Sequence, residues 1–163
     1  MMAAGLTGAY LHPIPNFEPL TLTVFCAGVL LGVRDGALTG GLTMLVYSLL
    51  NPYGAVHPAV MAAQVAGEAL AGATGGVLAR LGVPQRGIPV RVLALALCGI
   101  ALTVVFDLIT NLATGLVYGQ VRATIVMGIP WALMHAGWNL AAFAAIGTPL
   151  VAVFARYRER LSS

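Results

Sequence analysis

The chain has no lysine: its eight basic residues are all arginine, and only five acidic residues accompany them among 163. Charged residues make up 8% of the sequence, against about 25% in soluble domains. With 60% of residues hydrophobic, a water-facing surface cannot be built from so few charges. That excludes an ordinary soluble globular domain and leaves an integral membrane protein. Lacking lysine, the chain has no Gly-x-x-x-x-Gly-Lys-Ser/Thr loop, so ATP hydrolysis by that device is excluded. Serine occurs only at Ser48, Ser162 and Ser163 and no Gly-x-Ser-x-Gly elbow exists, which excludes a hydrolase built on one. The two cysteines, Cys26 and Cys98, lie inside apolar runs and read as small buried hydrophobes, with no disulfide and no metal-ligand spacing. No basic stripe with interleaved aromatics marks a nucleic-acid surface. Residues 1–12 lack the charged start and apolar core of a signal peptide.

What remains is a series of apolar runs separated by short polar connections, consistent with a mean hydropathy of +0.94. His12 to Pro19 is turn-rich. Leu20–Val33 and Ala37–Leu50 are two short apolar runs joined at Arg34-Asp35-Gly36, which reads as a tight charged turn. Each covers about 21 Å as a helix, short of a hydrocarbon core of about 30 Å. Asn51–Pro58 is a loop, Ala59–Leu81 a third span, Arg80–Arg91 a polar connection and Val90–Tyr118 a fourth span. From Ala123 a fifth run carries Pro130 and reaches Gly147-Thr148-Pro149, which either ends it or kinks it. The positive-inside rule decides between these. With Arg80, Arg86 and Arg91 inside, a single kinked final crossing also brings Arg156, Arg158 and Arg160 inside. The expectation is an all-α integral membrane bundle in one domain, with five spans after Glu18. Small residues recur every fourth position at Ala59, Ala63, Gly67, Ala71, Gly75 and Ala79, a close-packed helix seam. Gly28 and Gly32 have the same spacing and offer either a docking face for a partner helix or internal packing.

Three spans carry polar pairs at helical spacing: Gln64 with Glu68, Asp107 with Asn111, and His135 with Asn139. Residues four apart share one helix face. A charged group at a helix centre costs about 2.5–3.5 kcal/mol on insertion scales, so each pair points to function or to a specific interhelical bond. Measured from the nearer end of its span, each ionisable group lies roughly 15–18 Å deep. Glu68, Asp107 and His135 are therefore expected to surround one polar pocket near the midplane, reached from outside. Asn16, Glu18, Asn51 and Tyr53 would rim its mouth. Trp131 and Trp138, one heptad apart, either stack a planar ligand or pack against helix and lipid.

These residues carry a resemblance. Pro15-Asn16-Phe17-Glu18-Pro19, the glycine-spaced short helices, Asn51-Pro52-x-Gly54, Asp107-x-x-x-Asn111 and His135-x-x-x-Asn139 together resemble the substrate-binding (S) component of energy-coupling factor transporters. The resemblance runs from about Pro13 to Arg160. It implies a six-helix protein of a bacterial or archaeal cytoplasmic membrane, not itself an enzyme and without a cofactor. Such a protein binds a vitamin, vitamin precursor or similar micronutrient from outside. It works with a transmembrane coupling protein and two cytoplasmic ATPases, which use the ATP. The family's first helix, often with an Ala-x-x-x-Ala docking motif, has no counterpart in residues 1–12, so it is short or missing here. His135-x-x-x-Asn139 also looks like one motif of the CAAX-processing protease family, but that family's paired glutamates are absent and His12 and His57 fall in loops. A stand-alone small transporter or channel is the remaining alternative, although no inverted repeat is visible.

Overall fold

The computed structural model describes residues 2, 19–51 and 54–162. Among them every regular element is helical. Helix α1 is Leu20–Leu31, α2 Val33–Leu49 and α3 Pro58–Arg80. A 3-10 turn at Val83–Gln85 leads to α4, Ile88–Tyr118, and then to α5, Val121–Ala142. The chain continues through a π-helical stretch, Phe143–Gly147, into α6, Thr148–Ser162. The last run is thus one continuous helical path, as the charge count requires. Pro130 lies within α5 without ending it.

The first hairpin turns at a different residue from the one expected. Arg34-Asp35-Gly36 is not a turn but the first turn of α2, where Asp35 sits beside the positive helix end. The break falls at Gly32, whose φ of 97° lies in a region that L side chains rarely adopt. Its N–H closes α1 by donating to the Gly28 carbonyl at 2.8 Å. Arg34 and Asp35 stand out as the polar signal, but it is Gly32, at φ 97°, that takes the left-handed conformation, while Gly36 stays helical within α2.

Glycines set how closely the first three helices approach. A Cβ on Gly28 would strike the Gly72 carbonyl of α3, and one on Gly72 would strike the Gly36 carbonyl of α2. Gly40 faces the Glu68 carbonyl, Gly75 the Phe25 carbonyl, and Gly76 the backbone at Val33. The backbones of α1, α2 and α3 are therefore in direct contact, a packing mode in which dispersion replaces side-chain burial. The expected seam is real at Gly67, Ala71 and Gly75, but the row Glu68, Gly72 and Gly76 is equally engaged. Gly28 is consumed by this packing and Gly32 by the turn, where it faces the Arg158 guanidinium. The pair is filled from within the chain and is not an open docking face.

Helix α1 is buried almost all round, with Val24, Phe25, Ala27 and Val29 fully enclosed. Phe25 meets Phe143 of the π-helical stretch edge to face at 5.1 Å. This contact ties α1 to the end of α5. The outer surfaces of α4 and α5 are apolar: Leu93, Leu97, Leu108, Leu116, Met127 and Leu133 are each more than half exposed. Two helical paths, Ile88–Tyr118 and Val121–Arg160, are long and apolar enough to cross a membrane; Leu20–Leu31 is apolar but shorter.

The charges separate along the bundle. Gly76 against Val33, Arg158 against Gly32, and Gln85 against Glu159 place the end of α3, the start of α2, the start of α4 and all of the late α6 at one end. Seven arginines belong to that end: Arg34, Arg80, Arg86, Arg91, Arg156, Arg158 and Arg160. Arg122, in the first turn of α5, is at the opposite end.

Candidate functional site

The α4–α5 pair is antiparallel, so residues whose numbers rise along one helix meet residues whose numbers fall along the other. Thr103, Asp107 and Asn111 form an every-fourth stripe on α4. Each meets α5. Asn139 donates through Nδ2 to Thr103 Oγ1 at 2.8 Å. His135 Nδ1 lies 3.1 Å from Asp107 Oδ1 and 3.3 Å from Oδ2, so the ring nitrogen straddles the carboxylate. The Asn111 amide covers Gly128, where a Cβ would come within 2.6 Å of its nitrogen. Gly128 thus has a steric reason to be glycine. A second glycine, Gly99, brings the α4 backbone close to the Asn139 carbonyl.

These three rungs are enclosed to different degrees. Asn139 and Thr103 are each 1% exposed, so that rung is sealed. The Asp107 and His135 side chains are 17% and 10% exposed, so the middle rung is largely but not wholly withdrawn. The pair is a carboxyl group and an imidazole with their polar atoms in contact, in surroundings where water competes poorly for either. Such a pair can accept and donate hydrogen bonds to a planar polar solute, and it can hold or pass a proton. A metal site needs more: among the described residues no group of three His, Cys, Asp or Glu side chains is arranged to hold an ion.

The acid of α3 has a partner on α1. Glu68 is 1% exposed and accepts a hydrogen bond from Thr21 Oγ1 of α1 at 2.8 Å. Gln64, one turn nearer the α3 start, accepts from Ser48 of α2 at 3.2 Å. The expected common height holds, because Phe106 packs its ring on Gly67 and stands edge-on to the His135 ring at 6.3 Å between centroids. Residues 21, 67, 106 and 135 therefore lie at one level. A hydrogen bond of Glu68 nevertheless runs to α1 and the contact of Asp107 to α5, with the Phe106 ring spanning from α3 to α5. Sequence spacing fixed the height of each group; helix rotation, which spacing does not report, directed them to different neighbours.

The remaining expected site residues divide. Trp131 is 57% and Trp138 38% exposed, so both indoles reach the surface of α5, one turn before and one turn after His135 on the helix. Asn51 follows the end of α2 and is half-buried. Asn16, Glu18 and Tyr53 lie outside the described residues. His57 caps α3, its Nδ1 accepting from the Ala59 N–H at 3.2 Å, which accounts for its place beside Pro58. Three participants went unread in the sequence: Thr103, Thr21 and Phe106. Thr103 was legible, being four residues before Asp107 on the same stripe. Thr21 and Phe106 carry no local signal, since their roles depend on which helix lies opposite.

Comparison with known proteins returns no match to any family model, curated protein or solved structure.

Proposed function

We propose that this chain is a multi-pass membrane protein that captures a small polar solute, acting as the substrate-binding subunit of an importer of the energy-coupling factor type. The observation that carries this reading is the Asp107–His135 pair, largely withdrawn from solvent between two apolar helices. Ionisable groups at such a position are rare because of their insertion cost, and they mark solute or ion pathways. Two further observations support it. Seven of eight arginines gather at one end of the bundle, the asymmetry that orients membrane proteins with that end cytoplasmic. The outer surface of α4 and α5 exposes many large apolar side chains, as a lipid-facing surface does.

In this reading the described helices make five crossings, with the final one running through α5 and α6. Asp107 and His135 contact the solute. Asn111 and Asn139 fix the flanking rungs, and Glu68 with Gln64 forms an adjoining polar layer against α1 and α2. The class of solute is a vitamin, a vitamin precursor or a comparable micronutrient. Transport energy comes from a transmembrane coupling protein and two cytoplasmic ATPases, because the chain has no nucleotide-binding loop. The protein resides in a bacterial or archaeal cytoplasmic membrane.

The test is native mass spectrometry of the full chain, gently purified from membranes, to look for a retained small molecule. Asp107→Ala and His135→Ala are expected to lose that molecule while still inserting. Equal retention in wild type and both variants would refute the site. Co-purification of a coupling protein with ATPases supports the importer. Solute flux by the purified chain alone in vesicles would instead establish a stand-alone transporter.

A further inference from the structure

The arginine-rich end contains a second polar site, remote from the Asp107–His135 pair. A cleft of about 290 Å³ opens between the 3-10 turn, the first turn of α4 and the middle of α6. Pro84, Gln85, Arg91, Ala152, Arg156 and Glu159 line it. Pockets for drug-sized ligands run from about 300 to 1,000 Å³, so this one suits a single small polar group.

Its chemistry is cationic. Arg91 is held in place by donating from Nη1 to the Pro84 carbonyl at 3.0 Å. That bond uses one donor of a fork that carries five. Arg91 Nε is buried and finds no hydrogen-bond acceptor among the described residues. A buried donor in that state favours an anionic acceptor, since leaving it unmade costs more than a typical bond contributes. Arg156 lines the same cleft from α6. Glu159 opposes an anion there, but its carboxylate already accepts from Gln85 Nε2 at 3.1 Å. Two arginines outweigh one glutamate in the lining, and Arg80, Arg86, Arg158 and Arg160 nearby raise the local positive potential further. The start of α4 adds the positive end of a 31-residue helix.

We propose that this cleft binds a phosphate group, and that its source is the headgroup of an anionic phospholipid in the leaflet at the arginine-rich end. Guanidinium forks match phosphate oxygens in geometry and charge. Basic pockets between helices on the cytoplasmic side are suited to such headgroups. The proposal rests on the membrane orientation argued above, and not on the solute site.

The experiment uses the full chain in nanodiscs containing phosphatidylglycerol mixed with phosphatidylcholine, released into native mass spectrometry. Wild type is expected to retain phosphatidylglycerol selectively. Arg156→Gln, an exposed change that leaves the Arg91–Pro84 bond intact, is expected to lower retention about fivefold. Arg91→Gln is expected to lower it about tenfold or more, because a buried charge-assisted bond is lost. Arg122→Gln, at the opposite end, is expected to change nothing. Displacement of the lipid by inorganic phosphate in detergent would keep the phosphate site but assign it to the free anion. Equal retention in wild type, Arg156→Gln and Arg91→Gln would overturn it, as would retention of phosphatidylcholine to the same extent. Solute retention, read in the same spectra, is expected to be unaffected by Arg156→Gln, so failure of one site is distinguishable from failure of the other.

Discussion

Replacing Asp107 with asparagine separates the two things this residue can do. The side chain keeps its shape, and an amide can still hydrogen-bond His135 Nδ1 across the 3.1 Å gap. What disappears is the negative charge. Interhelical hydrogen bonds in membranes average about 0.6 kcal/mol, with a maximum near 1.7, so a surviving neutral bond limits the stability loss to about 1 kcal/mol. A hydrogen bond to a charged group contributes about 1.5–3 kcal/mol. If the carboxylate holds the solute, Asp107→Asn is expected to weaken binding roughly 10- to 100-fold, at about 1.4 kcal/mol per tenfold. Stability is read from loss of helical circular dichroism as the detergent-solubilised protein is titrated with denaturing detergent. Binding is read from the solute retained in native mass spectrometry. A double-mutant cycle of Asp107→Ala with His135→Ala then isolates the pair, with an expected coupling of at most about 1.7 kcal/mol, the upper end for interhelical hydrogen bonds. A variant that loses more than about 1.7 kcal/mol of stability while retaining solute as wild type does would refute the reasoning. The pair would then be a clasp between α4 and α5 and nothing else.

Four further outcomes are expected. Gly72→Ala directs a methyl group into the Gly36 carbonyl; backbone cannot rotate away as a side chain can, so the loss should reach or exceed the 1–3 kcal/mol usual for overpacking, about 2–4 kcal/mol by detergent unfolding. Gly67→Ala meets the Phe106 ring instead, and a ring can shift, so about 1 kcal/mol is expected along with a measurable change in the His135 ring environment by NMR. Thr103→Val removes the acceptor of the buried Asn139 amide and should cost about 1–3 kcal/mol, with solute retention changed far less than in Asp107→Asn. For orientation, Gly119→Cys is expected to react with a membrane-impermeant maleimide from outside intact cells, and Arg86→Cys only after permeabilisation. The reverse pattern would invert the assigned topology.

Much of the bundle was legible in the sequence because apolar runs and their arginine flanks are local properties. Helix α4 was foreseen to within two residues at its start, and the unbroken path through Gly147-Thr148-Pro149 followed from the arginine count alone. The α4–α5 rungs were half legible: Asp107 with Asn111 and His135 with Asn139 were recognisable by spacing, and depth put Asp107 and His135 at one level with Glu68, but which residues would pair across the helices was not. Trp131 and Trp138 flank His135 by spacing, but their exposure of 57% and 38% depends on the neighbouring helices, which spacing does not report. Gly28 and Gly32 were ambiguous for the same reason, since a small-residue face accepts a partner chain or a neighbouring helix equally well.

Composition and periodicity by themselves determined that this chain forms apolar helices with sparse polar groups at matching heights, and which end carries positive charge. Those properties depend on the residues within one segment and on the bilayer as solvent. Only the tertiary structure decided that Asp107 meets His135 while Glu68 accepts from Thr21, and that Gly32 rather than Arg34-Asp35 turns the hairpin. Those outcomes depend on how each helix is rotated about its axis, and rotation is set by backbone contacts among glycines far apart in the chain.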